Sequence, residues 1–231
     1  MKGLNLKEYL LADMEAELNR FKAVTSFSNE ELKDYSVILK KFKFIHESKE
    51  VTTNEKGKIL EEIVNYIVSK SIVFDLHRNL RTSTNEIDLL VNLNWRGKQF
   101  KEKGFIQFED NQLICECKNY KKKIDVTWVG KFYSLLSCST CRLGILFSYK
   151  GLTGKGWNDA IGLSKKVYLL KEKEDEKIKI IDFNIEDFNL LEQGESFLNI
   201  IHTKLINLKY DTEILAKIAS HPNEELIKEH P

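Results

Sequence analysis

The segment NEIDLLVNL, residues 85–93, alternates polar and apolar side chains except at Leu90. A period of two is typical of a β-strand with two different faces, and it places Asp88 on the polar face. The apolar face carries Ile87, Leu89, Val91 and Leu93. The segments SIVFDLH (71–77) and LICECKNY (113–120) are also predicted strands. Three strands so close in sequence favour a sheet, and every other segment has to pack around it.

Helical spacing surrounds these strands. Residues 1–46 contain no proline and no glycine after Gly3, and they predict helices. The residues TTNE at 52–55 form a capping-box pattern, which predicts a helix over 55–69. Beyond the third strand, the pattern predicts a helix over 126–140, a strand over 142–148, a helix over 153–166, a strand over 167–172 and helical structure from 178 onward.

This order predicts an α/β fold with a mixed central β-sheet flanked by helices, plus helical N- and C-terminal extensions. We expect a helical N-terminal extension at 1–50, a core at 51–172, and an acidic, mainly helical region at 173–231. The lysine-rich segment NWRGKQFKEKG, residues 94–104, is expected to be a loop or a hairpin tip.

Composition narrows the class of protein. Apolar residues make up 42% of the chain and charged residues 31%, which is typical of a globular protein. No apolar run approaches the roughly 20 residues of a membrane helix, and the first residues lack a signal-peptide pattern. We therefore expect a cytoplasmic protein with no membrane partner. The four cysteines allow a zinc site, but Cys115 and Cys117 also fit the inward face of a strand.

The segment LICECKNY places charged residues within an apolar run. Alternation puts Glu116 and Lys118 on one face of the strand, and Asp88 becomes their neighbour if the two strands pair. Carboxylates that approach one another raise each other's pKa unless a cation neutralises them. Mg²⁺ does so with a few carboxylate oxygens and waters, and a lysine beside it positions or helps to deprotonate a water.

Asp88 followed by ECK at 116–118 resembles the motif of the PD-(D/E)xK nuclease superfamily. The resemblance extends to its Mrr-like restriction endonuclease branch over roughly residues 55–170. LEEIV (60–64) resembles the helix that carries a glutamate before the strands. KNYKKKIDVTWVGKFYSLL (118–136) resembles the basic turn and helix after the lysine. The chain departs from the branch by having Glu116 where glutamine is usual, and by lacking glycines before Asp88.

The resemblance implies a restriction-endonuclease-like core and a role for each matching residue. Asp88 and Glu116 would be metal ligands, Lys118 the lysine that positions water, and Glu61 an outer catalytic carboxylate. Helical spacing alone leaves Glu62 as the competing position. Glu86 shares the polar face of Asp88 and is a further candidate. The implied cofactor is Mg²⁺, for which Mn²⁺ can substitute.

The charge distribution points to a polyanionic partner. Residues 51–170 contain 19 Lys and Arg against 12 Asp and Glu, a net charge of +7, whereas residues 171–231 carry −6. The lysines that follow the motif would bind phosphates of a nucleic-acid backbone. The segment GLTGKG (151–156) includes the start of the predicted helix, where backbone amides can bind a phosphate. The residues expected to bind nucleic acid are Lys121, Lys122, Lys123, Lys131, Ser148 and Thr153. A solvated turn is the alternative interpretation of the lysine run.

The sequence thus predicts a metal-dependent endonuclease that hydrolyses DNA phosphodiester bonds, in prokaryotic restriction or anti-phage defence. Cleavage of both strands needs two active sites, so a homodimer is expected. A partner protein that supplies recognition is also compatible with the sequence. The alternatives are a catalytically inactive nucleic-acid-binding module, a subunit of a larger defence complex, and a nuclease that acts on RNA or single strands.

Overall fold

The computed structural model describes residues 5–81, 86–154 and 158–210, with the backbone alone at Arg81 and Glu86. The helices are α1 (Leu6–Thr25), α2 (Asn29–Glu47), α3 (Thr53–Lys70), α4 (Trp95–Glu102), α5 (Val126–Ser137), α6 (Ala160–Leu169), α7 (Ile185–Glu192) and α8 (Phe197–Tyr210). The strands are β1 (Phe74–Arg81), β2 (Glu86–Leu93), β3 (Gln112–Cys117), β4 (Leu143–Phe147) and β5 (Lys179–Phe183).

The five strands form one sheet in the order β1-β2-β3-β4-β5. The pairs β1–β2 and β2–β3 are antiparallel, whereas the pairs β3–β4 and β4–β5 are parallel. The parallel connections contain helices α5 and α6, as a crossover between parallel strands requires. The predicted α/β fold with a mixed central sheet flanked by helices is therefore confirmed.

Hydrophobic side chains fill both faces of the sheet. On one face, Leu89 and Cys115 belong to a large core that helices α2, α3, α7 and α8 complete. On the other face, Ile114 and Leu146 belong to a smaller core with α5 and α6. The alternation in β3 is as predicted, since Leu113, Cys115 and Cys117 are all buried in the larger core. Burial raises the pKa of the Cys115 and Cys117 thiols, which suits a packing role.

Capping residues fix where the N-terminal helices begin. The predicted capping box is present at the start of α3: Thr52 Oγ1 accepts from the Glu55 amide, and the Glu55 carboxylate accepts from the Thr52 amide. Helices α1 and α2 begin with the same arrangement at Asn5 and Ser28. These reciprocal hydrogen bonds satisfy amides that the first turn of a helix leaves without partners. The predicted helices before residue 47 are confirmed.

The prediction of a loop or hairpin tip at 94–104 is wrong, because most of this segment forms helix α4. Asn94 caps the helix by accepting hydrogen bonds from the amides of Arg96 and Gly97. Gly97 allows α4 to pack closely, since a Cβ there would lie 2.5 Å from the Val73 carbonyl oxygen and 2.8 Å from Leu93. A cap and a close contact thus outweigh the low apolar content of the segment.

The predicted strand at 167–172 is also wrong. Val167 and Tyr168 continue helix α6, where they are buried one turn beyond Ser164. The fifth strand is instead β5, which lies within the region expected to be mainly helical. A short apolar run fits a helix or a strand equally well, so the packing of α6 on the core decides. Helix α6 begins at Ala160, later than the predicted residue 153.

Several sequence predictions concern residues outside the described ranges. The approach to Asp88 at 82–85, the end of the GLTGKG loop with Trp157, and the segment 211–231 all lie there. The domain boundaries at residues 50 and 172 stay predictions. Among the described helices, none is both long and apolar enough to cross a lipid bilayer.

A buried charge cluster joins β5, α7 and α8. Lys204 Nζ lies 3.0 Å from Asp187 Oδ2 and 3.4 Å from Asp182 Oδ1, and only 5% of the Asp187 side chain is exposed. The backbone amide of Asn184, which precedes α7, donates a hydrogen bond to Asp187 Oδ2 at 2.7 Å. Burial raises the pKa of Asp187 to about 6, against the opposing effect of Lys204. Among the described residues, Lys204 is therefore the cation that forms ion pairs with both Asp182 and Asp187.

We predict that Lys204→Met lowers the free energy of unfolding by about 3 kcal/mol at pH 8, because it leaves a buried carboxylate without its cation. The folded-state pKa of Asp187 lies above its ordinary value, so this carboxyl favours the folded state at low pH, and the benefit is lost as the pH rises through 6. The deficit of the variant should therefore shrink at pH 5. Urea denaturation at both pH values measures it.

The matched control is Lys209→Met on the exposed end of α8, which should change stability by less than about 0.5 kcal/mol. Equal stabilities for the two variants at pH 8 would show that the buried ion pairs contribute no net stability.

Candidate functional site

Strands β2 and β3 part beyond the pair Leu89 and Cys115, where their register ends. Asp88, the next residue on β2 towards this gap, accepts a hydrogen bond from the Cys117 amide at 2.9 Å through Oδ2. Strand β3 meanwhile stays with β4, and the Lys118 amide donates to the Phe147 carbonyl at 2.8 Å. Where the two strands separate, the Asp88 carboxylate therefore takes the place of a backbone carbonyl as the acceptor for the Cys117 amide. This hydrogen bond holds the carboxylate in position.

The structure brings Asp88, Glu116 and Lys118 together at this gap. Lys118 Nζ lies 2.6 Å from Glu116 Oε1 and 3.6 Å from Asp88 Oδ2. The side chain of Lys118 is 18% exposed, that of Glu116 15% and that of Asp88 24%, so each remains accessible from solvent. One ammonium group thus bridges two carboxylates that reach it from different strands.

Burial disfavours the charged form of Lys118, but the carboxylates of Glu116 and Asp88 outweigh this and raise the pKa of its ammonium group. Lys118 is therefore protonated at neutral pH. In this state it donates hydrogen bonds and carries positive charge, and it does not accept a proton.

Glu61 on α3 is the third carboxylate of the site. Burial and the neighbouring Asp88 carboxylate raise the pKa of Glu61, whereas Lys118, Lys58 and Arg78 lower it. Glu62, the competing helix position, is exposed and pairs with Lys41 at 3.0 Å. Glu61 rather than Glu62 is therefore the residue of this helix that faces Asp88 and Lys118.

Trp128 on α5 covers the opposite side of Lys118. Its ring lies 5.2 Å from Lys118 Nζ and 4.6 Å from Lys131 Nζ, and it contacts the Tyr120 ring at 5.6 Å. Cations over an indole face are attracted by its quadrupole. Trp128 is not among the site residues predicted from the sequence, and its position in the helix after the basic turn is the signal that could have placed it beside Lys118.

A buried polar network begins at Asn119, the residue that follows Lys118. Asn119 Oδ1 and His46 Nδ1 are 2.7 Å apart, and Asn119 Nδ2 donates to the Lys56 carbonyl at 2.7 Å. Lys56 Nζ in turn donates to the carbonyls of His46 and Ser48 at 2.6 and 2.7 Å. The His46 ring stacks on Tyr149 at 3.7 Å. The network joins the end of α2, the start of α3 and the end of β3.

Burial lowers the pKa of His46, against the hydrogen bond to Asn119 that raises it, and the nearby Lys56 ammonium lowers it further. The imidazole is therefore neutral at pH 7. A neutral ring with Nδ1 protonated donates to Asn119 Oδ1. Asn119 Nδ2 then donates to the backbone carbonyl of Lys56. Sequence reasoning missed this network, because its members are distant in sequence and follow no motif.

The residues expected to bind nucleic acid differ in their surroundings. Lys121, Lys122, Lys123 and Lys131 are all exposed. Ser148 is 3% exposed, and its hydroxyl accepts from the Gly151 amide at 2.8 Å. The Thr153 hydroxyl accepts from the Ala160 amide at 3.3 Å, at the start of α6. Ser148 and Thr153 thus shape the loop after β4, and the lysines remain the accessible cations.

Within the described parts of the chain, no group of three or more histidine, cysteine, aspartate or glutamate side chains is arranged to hold a metal ion. All four cysteines are free thiols. On β2 and β3, the carboxylates of Asp88 and Glu116 both lie within 3.6 Å of Lys118 Nζ.

Comparison with known proteins gives no match to a family model, to a curated protein or to a solved structure. Any function assigned to this chain therefore rests on its own residues and their arrangement.

We predict that Asn119→Ala lowers the free energy of unfolding by about 1–3 kcal/mol, since it leaves a buried carbonyl and a buried imidazole without their partner. Hydrogen exchange should accelerate at the start of α3. Urea denaturation and exchange mass spectrometry measure the two effects. Asn199→Ala on the exposed surface of α8 is the control, and a loss no larger than that of the control would contradict the prediction.

Proposed function

We propose that this chain is a metal-dependent endonuclease that hydrolyses DNA phosphodiester bonds, in prokaryotic restriction or anti-phage defence. The observation that carries the proposal is the bridge of Lys118 between Glu116 and Asp88, at the gap between two strands, with Glu61 on the adjoining helix. Three carboxylates and a lysine, each partly accessible, meet at a break in the sheet, and charged clusters with shifted pKa values are candidates for functional sites.

The order of the elements supports the same proposal. A helix with Glu61 precedes three antiparallel strands, and β3 ends at the E-x-K residues. The basic turn, helix α5 and the parallel strand β4 then follow. This is the order that the resemblance to Mrr-like PD-(D/E)xK nucleases implies, and the restriction-endonuclease-like fold is part of the proposal.

Mg²⁺ is the proposed cofactor, and Mn²⁺ would substitute for it. Asp88 and Glu116 would hold the ion, because both carboxylates already lie within reach of one cation. Mg²⁺ is satisfied by one or two carboxylates with waters and phosphate oxygens, so a third protein ligand is not required. When bound, it would supply an activated water and neutralise charge on the phosphate.

The chain's own residues divide the remaining work. Lys118 is protonated, so it would donate a hydrogen bond to a water or a phosphate oxygen and orient it. Glu61 has a raised pKa, which makes it better suited than an ordinary carboxylate to accept a proton from that water. The lysines at 121–123 and Lys131 would bind backbone phosphates next to the site.

The proposed assembly is a homodimer, since each chain contributes one site and a duplex has two strands. Helix α1 leaves apolar side chains exposed at Leu6, Leu10 and Met14, which favours an association surface over a solvated helix. A partner protein that supplies recognition belongs to the same proposal.

The first test is cleavage of supercoiled plasmid in Mg²⁺ or Mn²⁺. Wild type should cut it, and Lys118→Ala should lower the rate at least about 100-fold, because a group that stabilises the transition state is lost. Linear product without accumulated nicked circles would support two cooperating sites. The control variant is Lys40→Ala on the exposed surface of α2.

Single-stranded DNA, RNA, and modified and unmodified duplexes are digested in parallel. Cleavage of RNA or single strands alone would show that the substrate in the proposal is wrong. If wild type cuts none of these substrates in either metal, the enzymatic function is refuted.

A second prediction concerns metal binding without turnover. Because the Lys118 ammonium occupies the space between the carboxylates, a divalent ion has to displace it. Lys118→Met should therefore bind Ca²⁺ on the order of fivefold more tightly than wild type, since a partly exposed ion pair is worth roughly 1 kcal/mol. Isothermal titration calorimetry measures this.

Lys131→Met is the matched control, because it removes an equal charge from the same tryptophan without touching the carboxylates. Equal affinities for the two variants would show that Lys118 does not compete with the ion.

A further inference from the structure

Two exposed cations lie on the α3 side of the carboxylate cluster. Lys58 is three residues before Glu61 on α3, so the two side chains share one face of the helix. Arg78 on β1 lies opposite Leu89, the neighbour of Asp88 on β2. Neither residue belongs to the sequence motif, and neither was expected at the site.

The positive charge of both residues is directed at the cluster. Lys58 and Arg78 each lower the pKa of Glu61, in the same direction as Lys118. Among the described residues, neither one forms an ion pair with an acidic side chain. Both side chains are exposed, and no described carboxylate holds either one in an ion pair, so each can reach an anion from solvent.

The opposite side of the cluster carries cations as well. Lys131 sits over Trp128, and that ring also faces Lys118. Trp128 packs with the smaller core, whereas α3 packs with the larger core on the other face of the sheet. The carboxylates consequently lie between two groups of cations that come from opposite faces of the sheet.

A polyanion needs cations on both sides of such a centre. Asp88, Glu116 and Glu61 repel a phosphate backbone, and Lys118 is already paired with two of them. Phosphates that flank a central one extend in both directions along a strand, so cations on one side alone would leave half of the strand unsupported.

We propose that Lys58 and Arg78 form a second phosphate-binding flank, which holds the nucleic-acid backbone on the α3 side of the site while Lys131 holds it on the α5 side. The ligand class is the phosphodiester backbone, contacted without regard to base sequence. This inference rests on the proposed function and extends it to residues outside the motif.

The test is binding of a short fluorescein-labelled DNA duplex in Ca²⁺, measured by anisotropy at several salt concentrations. The double variant Lys58→Ala/Arg78→Ala should bind about tenfold more weakly at low salt. The slope of log K against log salt should fall by about 1.8, the value for two lost phosphate contacts. Circular dichroism checks that the variant is folded, which its exposed positions favour.

The matched control is Lys33→Ala/Lys171→Ala, which removes the same charge from exposed positions on α2 and after α6. A double variant with the slope of this control would overturn the inference and leave the proposed nuclease intact. If wild type binds neither the duplex nor its separated strands at any salt concentration, the second flank and the proposed function are both refuted.

Discussion

The hydrogen bond from the Cys117 amide to Asp88 is the interaction on which the rest of the site depends. An antiparallel pair normally continues its ladder, and an amide left open at its end would have to find water. Here the Asp88 side chain on β2 accepts a hydrogen bond from the Cys117 amide at 2.9 Å, so the two strands separate without leaving this donor unsatisfied. The gap that opens is where Glu116 and Lys118 reach solvent, and the pairing of β3 with β4 keeps them in place.

Most of the fold could be predicted from the sequence, because the interactions that determine the secondary-structure elements are local. Alternation in β3 and the capping box of α3 depend on residues a few positions apart, and both are present. In β2, Leu89, Val91 and Leu93 share the larger core as predicted, whereas Ile87 packs in the smaller core. The strand prediction at 167–172 was wrong because the start of this segment continues helix α6. That helix is stabilised by burial against a core formed by distant segments. Helix α4 was missed because a single residue, Asn94, supplies its start.

The same distinction applies to the candidate site. Alternation along one strand is enough to place Glu116 beside Lys118, and the order of strands supplies Asp88. Choosing Glu61 over Glu62 needs the rotation of α3 against the sheet, which only packing determines. Ser148 is expected to bind nucleic acid, and its burial and the hydrogen bond from the Gly151 amide depend on the turn after β4. Trp128 and Asn119 depend on contacts between helices and strands that no spacing encodes.

The buried Lys56 ammonium has a consequence for how the chain is divided. It is 3% exposed and is satisfied by carbonyl oxygens at the end of α2, which precede the region taken as the core. A fragment that begins at residue 51 would retain this ammonium and lose its acceptors, and one that ends at 172 would expose the β4 edge that β5 covers. The smallest piece of this protein able to present Lys118 correctly therefore includes helix α2 and strand β5, so the candidate site and the segments that support it form one structural unit.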